Sequence, residues 1–132
     1  MKIRKVAVIV FYDNKKRILL QGRKTISRFG EEWGFFGGGI EDNETPEETI
    51  FREIKEELNF DLKDFKYIGN YKEQISDEIL IEMYVFISPL PDLSKLSLME
   101  GDELKLFSLE EAEKLKIAIR DKNVIRELKK IL

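Results

Sequence analysis

Residues 37–60, GGGIEDNETPEETIFREIKEELNF, join a stretch of bare backbone to the clearest helix signal in the chain. Thr45 stands where a helix is capped, Pro46 fits the first helical position, and Glu48 completes a capping box, so a helix is expected over Pro46 to Leu58. Asn59 should end it, because asparagine tolerates the left-handed region better than any residue except glycine. At about 100° per residue, with Glu53 at zero, Glu57 falls near 40° and Glu56 near −60°, so three carboxylates share an arc of about 100°. Ile50, Phe51, Ile54 and Leu58 fill the adjoining arc from about 60° to 160°, which puts the acidic rim at the edge of a buried stripe.

The flanking sequence supplies strands. Ile3 to Tyr12 is dense in β-branched and aromatic residues, Asp13-Asn14 has turn chemistry, and Arg17 to Arg23 resumes a strand pattern, which together read as a hairpin. Trp33 to Phe36 reads as one short strand leading into a loop of Gly37, Gly38 and Gly39. Phe65 to Gln74 and Ile79 to Ile87 read as two further strands, the second stopped by Pro89-Leu90-Pro91. Glu103 to Phe107 follows as a short strand and Ser108 to Leu115 as a helix capped by Ser108. Asp121 to Leu132 reads as a last amphipathic helix with Asp121 as its cap. The order predicts an α/β fold, a mixed sheet with helices packed on it.

The chain has 132 residues, with 23 Lys+Arg against 26 Asp+Glu and neither His nor Cys. One domain over residues 1–132 is expected, with about 7,000 Å² exposed and a core that needs no crosslink. The missing residue types exclude thiol nucleophiles, Ser-His-Asp triads, iron–sulfur clusters and imidazole or thiolate metal sites. Chemistry here must use carboxylates, amines, guanidiniums, hydroxyls or backbone. The apolar run Val6 to Phe11 is too short for a signal core or a membrane span, so a cytoplasmic protein is expected. A net charge of −3 with interspersed signs disfavours binding to a nucleic acid duplex.

Glu53 repels Glu56 and Glu57 at a cost of roughly 0.2–0.5 kcal/mol per pair. Alone, such a run reads as a solvated face; hard carboxylate oxygens clustered this way also suit Mg²⁺, Mn²⁺ or Ca²⁺. Context decides between the two. Gly38, then Glu44, then Arg52-Glu53-Ile54-Lys55-Glu56-Glu57-Leu58-Asn59-Phe60 resembles the Nudix box, in which a glycine and a glutamate precede Arg-Glu-apolar-x-Glu-Glu-x-Gly-apolar. Ordinary residue frequencies, corrected for the abundance of glutamate, put a chance match on the order of one in a hundred thousand. The chain length and flanking strands also resemble a small MutT-like Nudix hydrolase.

The resemblance implies a Nudix-type α/β/α sandwich and metal-dependent hydrolysis of the diphosphate linkage in a nucleoside diphosphate derivative. Its leading substrate is a nucleoside triphosphate, oxidised or not, cleaved to monophosphate and pyrophosphate. ADP-ribose, dinucleoside polyphosphates and nucleotide sugars stay open, as does a non-catalytic nucleotide-binding module. By the same analogy Glu53, Glu56 and Glu57 hold Mg²⁺ or Mn²⁺, with the carbonyl of Gly38 or Gly37 completing the shell, and Arg52 orients a glutamate. Glu100 is the expected further loop carboxylate near the metals, with Glu103 in reserve; Arg23 is expected to meet a phosphate and Asp121 to lie near the base. Asn59 replaces the box's last glycine, and Phe36 and Gly39 replace a frequent proline and polar side chain, which leaves substrate identity open. The resemblance implies a small-molecule partner and leaves monomer or homodimer, the number of ions and the choice of general base undecided.

Overall fold

The computed structural model describes residues 1–132. Its centre is β1 (Lys2–Tyr12), which runs parallel to β6 (Ile79–Pro89) from Lys2↔Ile79 to Tyr12↔Pro89. On its other edge β1 pairs antiparallel first with β4 (Phe36–Gly39) and then, at Tyr12↔Ile18, with β2 (Arg17–Gly22). Beyond β2 lie β3 (Trp33–Gly34) and β7 (Leu104–Ser108), and beyond β6 lies β5 (Lys66–Gln74). The expected mixed sheet is therefore present.

Alternation along β1 builds two cores. Ala7, Ile9 and Phe11 face α1 (Pro46–Leu58) and bury Ile50, Ile54 and Leu58. Val8 and Val10 face the opposite way, toward α2 (Leu109–Glu113) and α3 (Ile119–Ile131), where Ala112, Val124, Ile125 and Leu128 are buried. A central sheet covered by helices on both sides is the α/β/α sandwich, and 7591 Å² remains exposed. No helix is long and apolar enough to cross a membrane.

Local signals held where the sequence placed them. Thr45 Oγ1 accepts from the Glu48 amide at 3.1 Å and Glu48 returns the bond to the Thr45 amide at 2.9 Å. Asn59 closes the helix at φ 49°, and its amide donates to the Lys55 carbonyl.

Four expectations are corrected. Pro89 ends β6 from inside the strand, since a missing N–H is harmless at the last rung, where the Leu90 amide donates to the Tyr12 carbonyl. The helix after Ser108 stops at Glu113, before Leu115. Asp121 is not a cap: Ala118 holds that place without a side-chain bond, and Asp121 sits in the first turn of α3, buried. Finally, Gly37, Gly38 and Gly39 form strand β4, not a loop, and Trp33 and Phe36 fall in different strands.

The glycine strand has a steric cause. A Cβ on Gly37, at φ 144°, would lie 2.0 Å from the Ala7 carbonyl oxygen, so β4 approaches β1 at a distance that no side chain permits. Gly39, by contrast, faces open space. Gly37→Ala should therefore cost about 3 kcal/mol or more in urea unfolding and Gly39→Ala about 1 kcal/mol or less; equal losses would contradict this account.

Candidate active site

The close approach of β4 brings α1 onto the glycine backbone. The Glu53 carboxylate fills the space a side chain on Gly38 would need, its Oε1 only 2.4 Å from the position of a Cβ there. One turn on, Glu57 Oε1 accepts from the Gly37 amide at 2.9 Å and its Oε2 from the Gln21 side chain at 3.3 Å. Glu57 is buried, at 2% exposure, and no basic side chain pairs with it. Burial, with the charges of Glu53 and Glu100 beside it, pushes its carboxyl up to about 8. Burial likewise raises Glu53, against the pull of Arg52.

Arg52 braces this arrangement. Its Nε and Nη2 donate side-on to both oxygens of Glu44 at 2.8 and 2.9 Å, Nη2 also reaches the Gly39 carbonyl at 3.1 Å, and Nη1 reaches Glu53 Oε1 at 2.9 Å. One planar guanidinium thus ties the end of β4 to α1 and orients a glutamate. Arg52 and the Thr49 hydroxyl hold the Glu44 carboxyl at about 2. Glu56 stands apart at the exposed edge, with only a 3.5 Å contact to Arg52.

Beside Gly37 and Gly38 opens a cavity of about 550 Å³. Glu100, Arg23 and Asp121, in the first turn of α3, line it as well, and Arg4, Arg28 and Arg120 add three more guanidiniums to the wall. Arg23 donates to Gln21 at 2.6 Å and lies 3.5 Å from Glu31. The expected residues Arg23, Gly37, Gly38, Glu100 and Asp121 therefore share one cavity, with Glu53 and Glu57 behind its glycine wall. Glu103, the reserve, does not line it and instead bonds Gly22 through its backbone.

Sequence reading passed over Gln21, a fully buried amide in β2, and Arg4, Arg28 and Arg120. A polar residue following Ile18, Leu19 and Leu20 in a strand is the only local signal for Gln21.

As posed, no three acidic side chains close on a single point as a ready cage. That arrangement suits an ion held by one or two carboxylates together with phosphate oxygens and water, as magnesium is. The hard-oxygen donors and the unneutralised charge around Glu57 fit such a cation.

Asp121 has its own signature. Burial raises its carboxyl to about 6, although Arg120 and Arg23 oppose the shift. A folded value above the unfolded one means that its stabilising contribution is full below about pH 3.8 and is lost as pH rises through about 6. Asp121→Asn should remove a stability change of about 2 kcal/mol between pH 4 and 7. Chemical denaturation across that range checks it, and an unaltered pH profile would refute it.

Residues 1–128 match the NUDIX domain family model. The 8-oxo-dGTP diphosphatase of Proteus vulgaris is 39% identical over 57 residues, covering 43% of this chain and 51% of that protein. The RNA pyrophosphohydrolase of Hydrogenovibrio crunogenus is 32% identical over 66 residues, covering 50% of this chain and 38% of that one. The matches thus span about half the length of these curated relatives, or less. In fold, the crystal structure of the MutT protein from Methanosarcina mazei Go1 superposes with a TM-score of 0.80 at 19% identity, over 98% of this chain and 94% of that one. With the family model matched over residues 1–128, the chain belongs to the NUDIX family.

Proposed function

We propose that this chain hydrolyses the diphosphate linkage of a nucleoside diphosphate derivative, foremost a nucleoside triphosphate, oxidised or not, to monophosphate and pyrophosphate. The observation that carries the reading is Glu57, a buried carboxylate with no cationic partner, set with Glu53 against the glycine wall of an arginine-bearing cavity. Ionised, such a group is costly and takes up either a proton or a metal cation. The diphosphatase and pyrophosphohydrolase names of the relatives support the substrate class. We also assign residues 1–132 to one domain and to the cytoplasm.

Glu53, Glu56, Glu57 and Glu100, with the Gly38 or Gly37 carbonyl, are the donors from which Mg²⁺ or Mn²⁺ would be held, one or two carboxylates to an ion and phosphate oxygens and water completing the shell. The ion would supply charge neutralisation on the phosphate oxygens and a more acidic water. The protein's own groups do the rest. Arg52 keeps Glu53 turned toward the glycine strand. Arg23 offers its guanidinium to a phosphate oxygen from the cavity wall. Asp121, ionised above about pH 6, accepts hydrogen bonds from N–H groups of a base. Water bonds to phosphorus as the bridging P–O bond breaks, the bridging oxygen departs with the leaving phosphate, and the proton that the water loses passes to solvent.

Incubation with a panel of nucleoside triphosphates, ADP-ribose, dinucleoside polyphosphates and nucleotide sugars in Mg²⁺ or Mn²⁺ should release phosphate or pyrophosphate from at least one member. Glu53→Gln and Glu57→Gln should lower that rate about a thousandfold, equivalent to about 4 kcal/mol. Arg52→Lys, which keeps the charge but loses the side-on geometry, should cost about 10–100-fold. Binding without products, unchanged by these substitutions, would instead establish a nucleotide-binding module.

A further inference from the structure

We infer that Gln21 is a positioning residue that sets Glu57 and the Glu100 loop in register, with Arg23 fixing the orientation of its amide. The inference rests on the assignment of Glu57 and Glu100 to the ion site.

Gln21 is fully buried in β2, between β3 at Gly34 and β7 at Leu104. Its Nε2 donates to Glu57 Oε2 at 3.3 Å and to the Glu100 carbonyl at 3.0 Å, while its Oε1 accepts from Arg23 Nη1 at 2.6 Å. A primary amide has two donors on nitrogen and an acceptor oxygen, and here each meets its complement. The reverse orientation would set the amide oxygen against a carboxylate and a carbonyl, and the amide hydrogens against a guanidinium. The amide therefore has one stable orientation.

Two glycines make the contact possible. Gly101, at φ 90°, lets the loop bearing Glu100 rest directly on the amide stem, since a Cβ there would lie 2.8 Å from Gln21 Cγ. Gly34 lets Arg23 cross β3, since a Cβ there would lie 2.7 Å from Arg23 Cδ. The loop is held in the same place by the Asp102 amide, which donates to the Gly22 carbonyl at 2.9 Å, and by the Thr25 hydroxyl, which donates to the Asp102 side chain. Helix α1, strand β2 and the 97–103 loop thus meet on one water-free side chain. Gly37 fixes one oxygen of Glu57 and Gln21 the other, so the carboxylate cannot rotate away from the glycine wall.

Gln21→Met removes both donors and acceptor at similar volume, and Gln21→Asn keeps the amide but shortens its reach. Thermal melting monitors folding, spin-resonance titration of the metal-free protein with Mn²⁺ alone reads the ion site, and turnover on the best panel substrate reads kcat and KM. Both variants should fold, bind Mn²⁺ about 10–100-fold more weakly and lose kcat by a similar factor, with KM within about threefold. Folded variants whose Mn²⁺ affinity and kcat stay within about twofold of the parent would overturn the inference. If neither variant folds, Gln21 is a folding residue only and the positioning role is likewise overturned. If the parent binds Mn²⁺ but turns over nothing on the panel, the hydrolase reading fails while weaker Mn²⁺ binding by the variants still supports Gln21. A parent that binds no Mn²⁺ by itself overturns the inference, while turnover on the panel decides the hydrolase reading separately.

Discussion

The contact between the glycine strand and the first helix is the constraint on which the site depends. Gly37 lies against the Ala7 carbonyl and Gly38 against the Glu53 carboxylate, at distances that leave no room for a Cβ on either residue. Only because β4 is bare can α1 come close enough for Glu57 to reach the Gly37 amide. The apolar stripe of Ile50, Ile54 and Leu58 drives this approach by burial on Ala7, Ile9 and Phe11. Arg52 then locks it with a guanidinium that bonds Glu44, Glu53 and the Gly39 carbonyl at once. Packing sets the distance, and the guanidinium sets the angle.

That geometry carries an electrostatic cost. Burial strips water from Glu57, and Glu53 and Glu100 add like charge from two directions. Arg52 neutralises Glu44 and part of Glu53 but does not reach Glu57. Further positive charge lines the cavity that Gly37 and Gly38 also line, on Arg4, Arg23, Arg28 and Arg120. The cavity thus carries both signs of charge, since Glu31, Glu100 and Asp121 line it alongside these arginines.

Much of this was legible before folding, and the reasons are local. The Thr45 and Ser108 capping boxes, the left-handed Asn59 and the β-branched and aromatic run of β1 involve residues within a few positions of one another. Failures occurred where the deciding partner was remote. The glycines read as a loop because three bare residues carry no strand propensity, yet the Val6 to Ile9 edge of β1 recruits them into the sheet. Asp121 read as a cap because aspartate suits that place, while the burial of Ile117, Val124 and Ile125 begins α3 two residues earlier. Gln21 gave almost no signal, since its three partners come from positions 23, 57 and 100.

The sequence by itself determined the inventory: hard-oxygen donors without histidine or cysteine, the helical phase of Glu53, Glu56 and Glu57, and the box spacing from Gly38 to Phe60. These follow from covalent order and helical pitch. Only the tertiary structure decided that Glu57 is sealed from water while Glu56 stays exposed, that Arg52 closes on Glu44, and that Arg23, Glu100 and Asp121 share one cavity. Desolvation and electric field at a point are sums over every group packed around it, and those groups are chosen by the fold, not by neighbours along the chain.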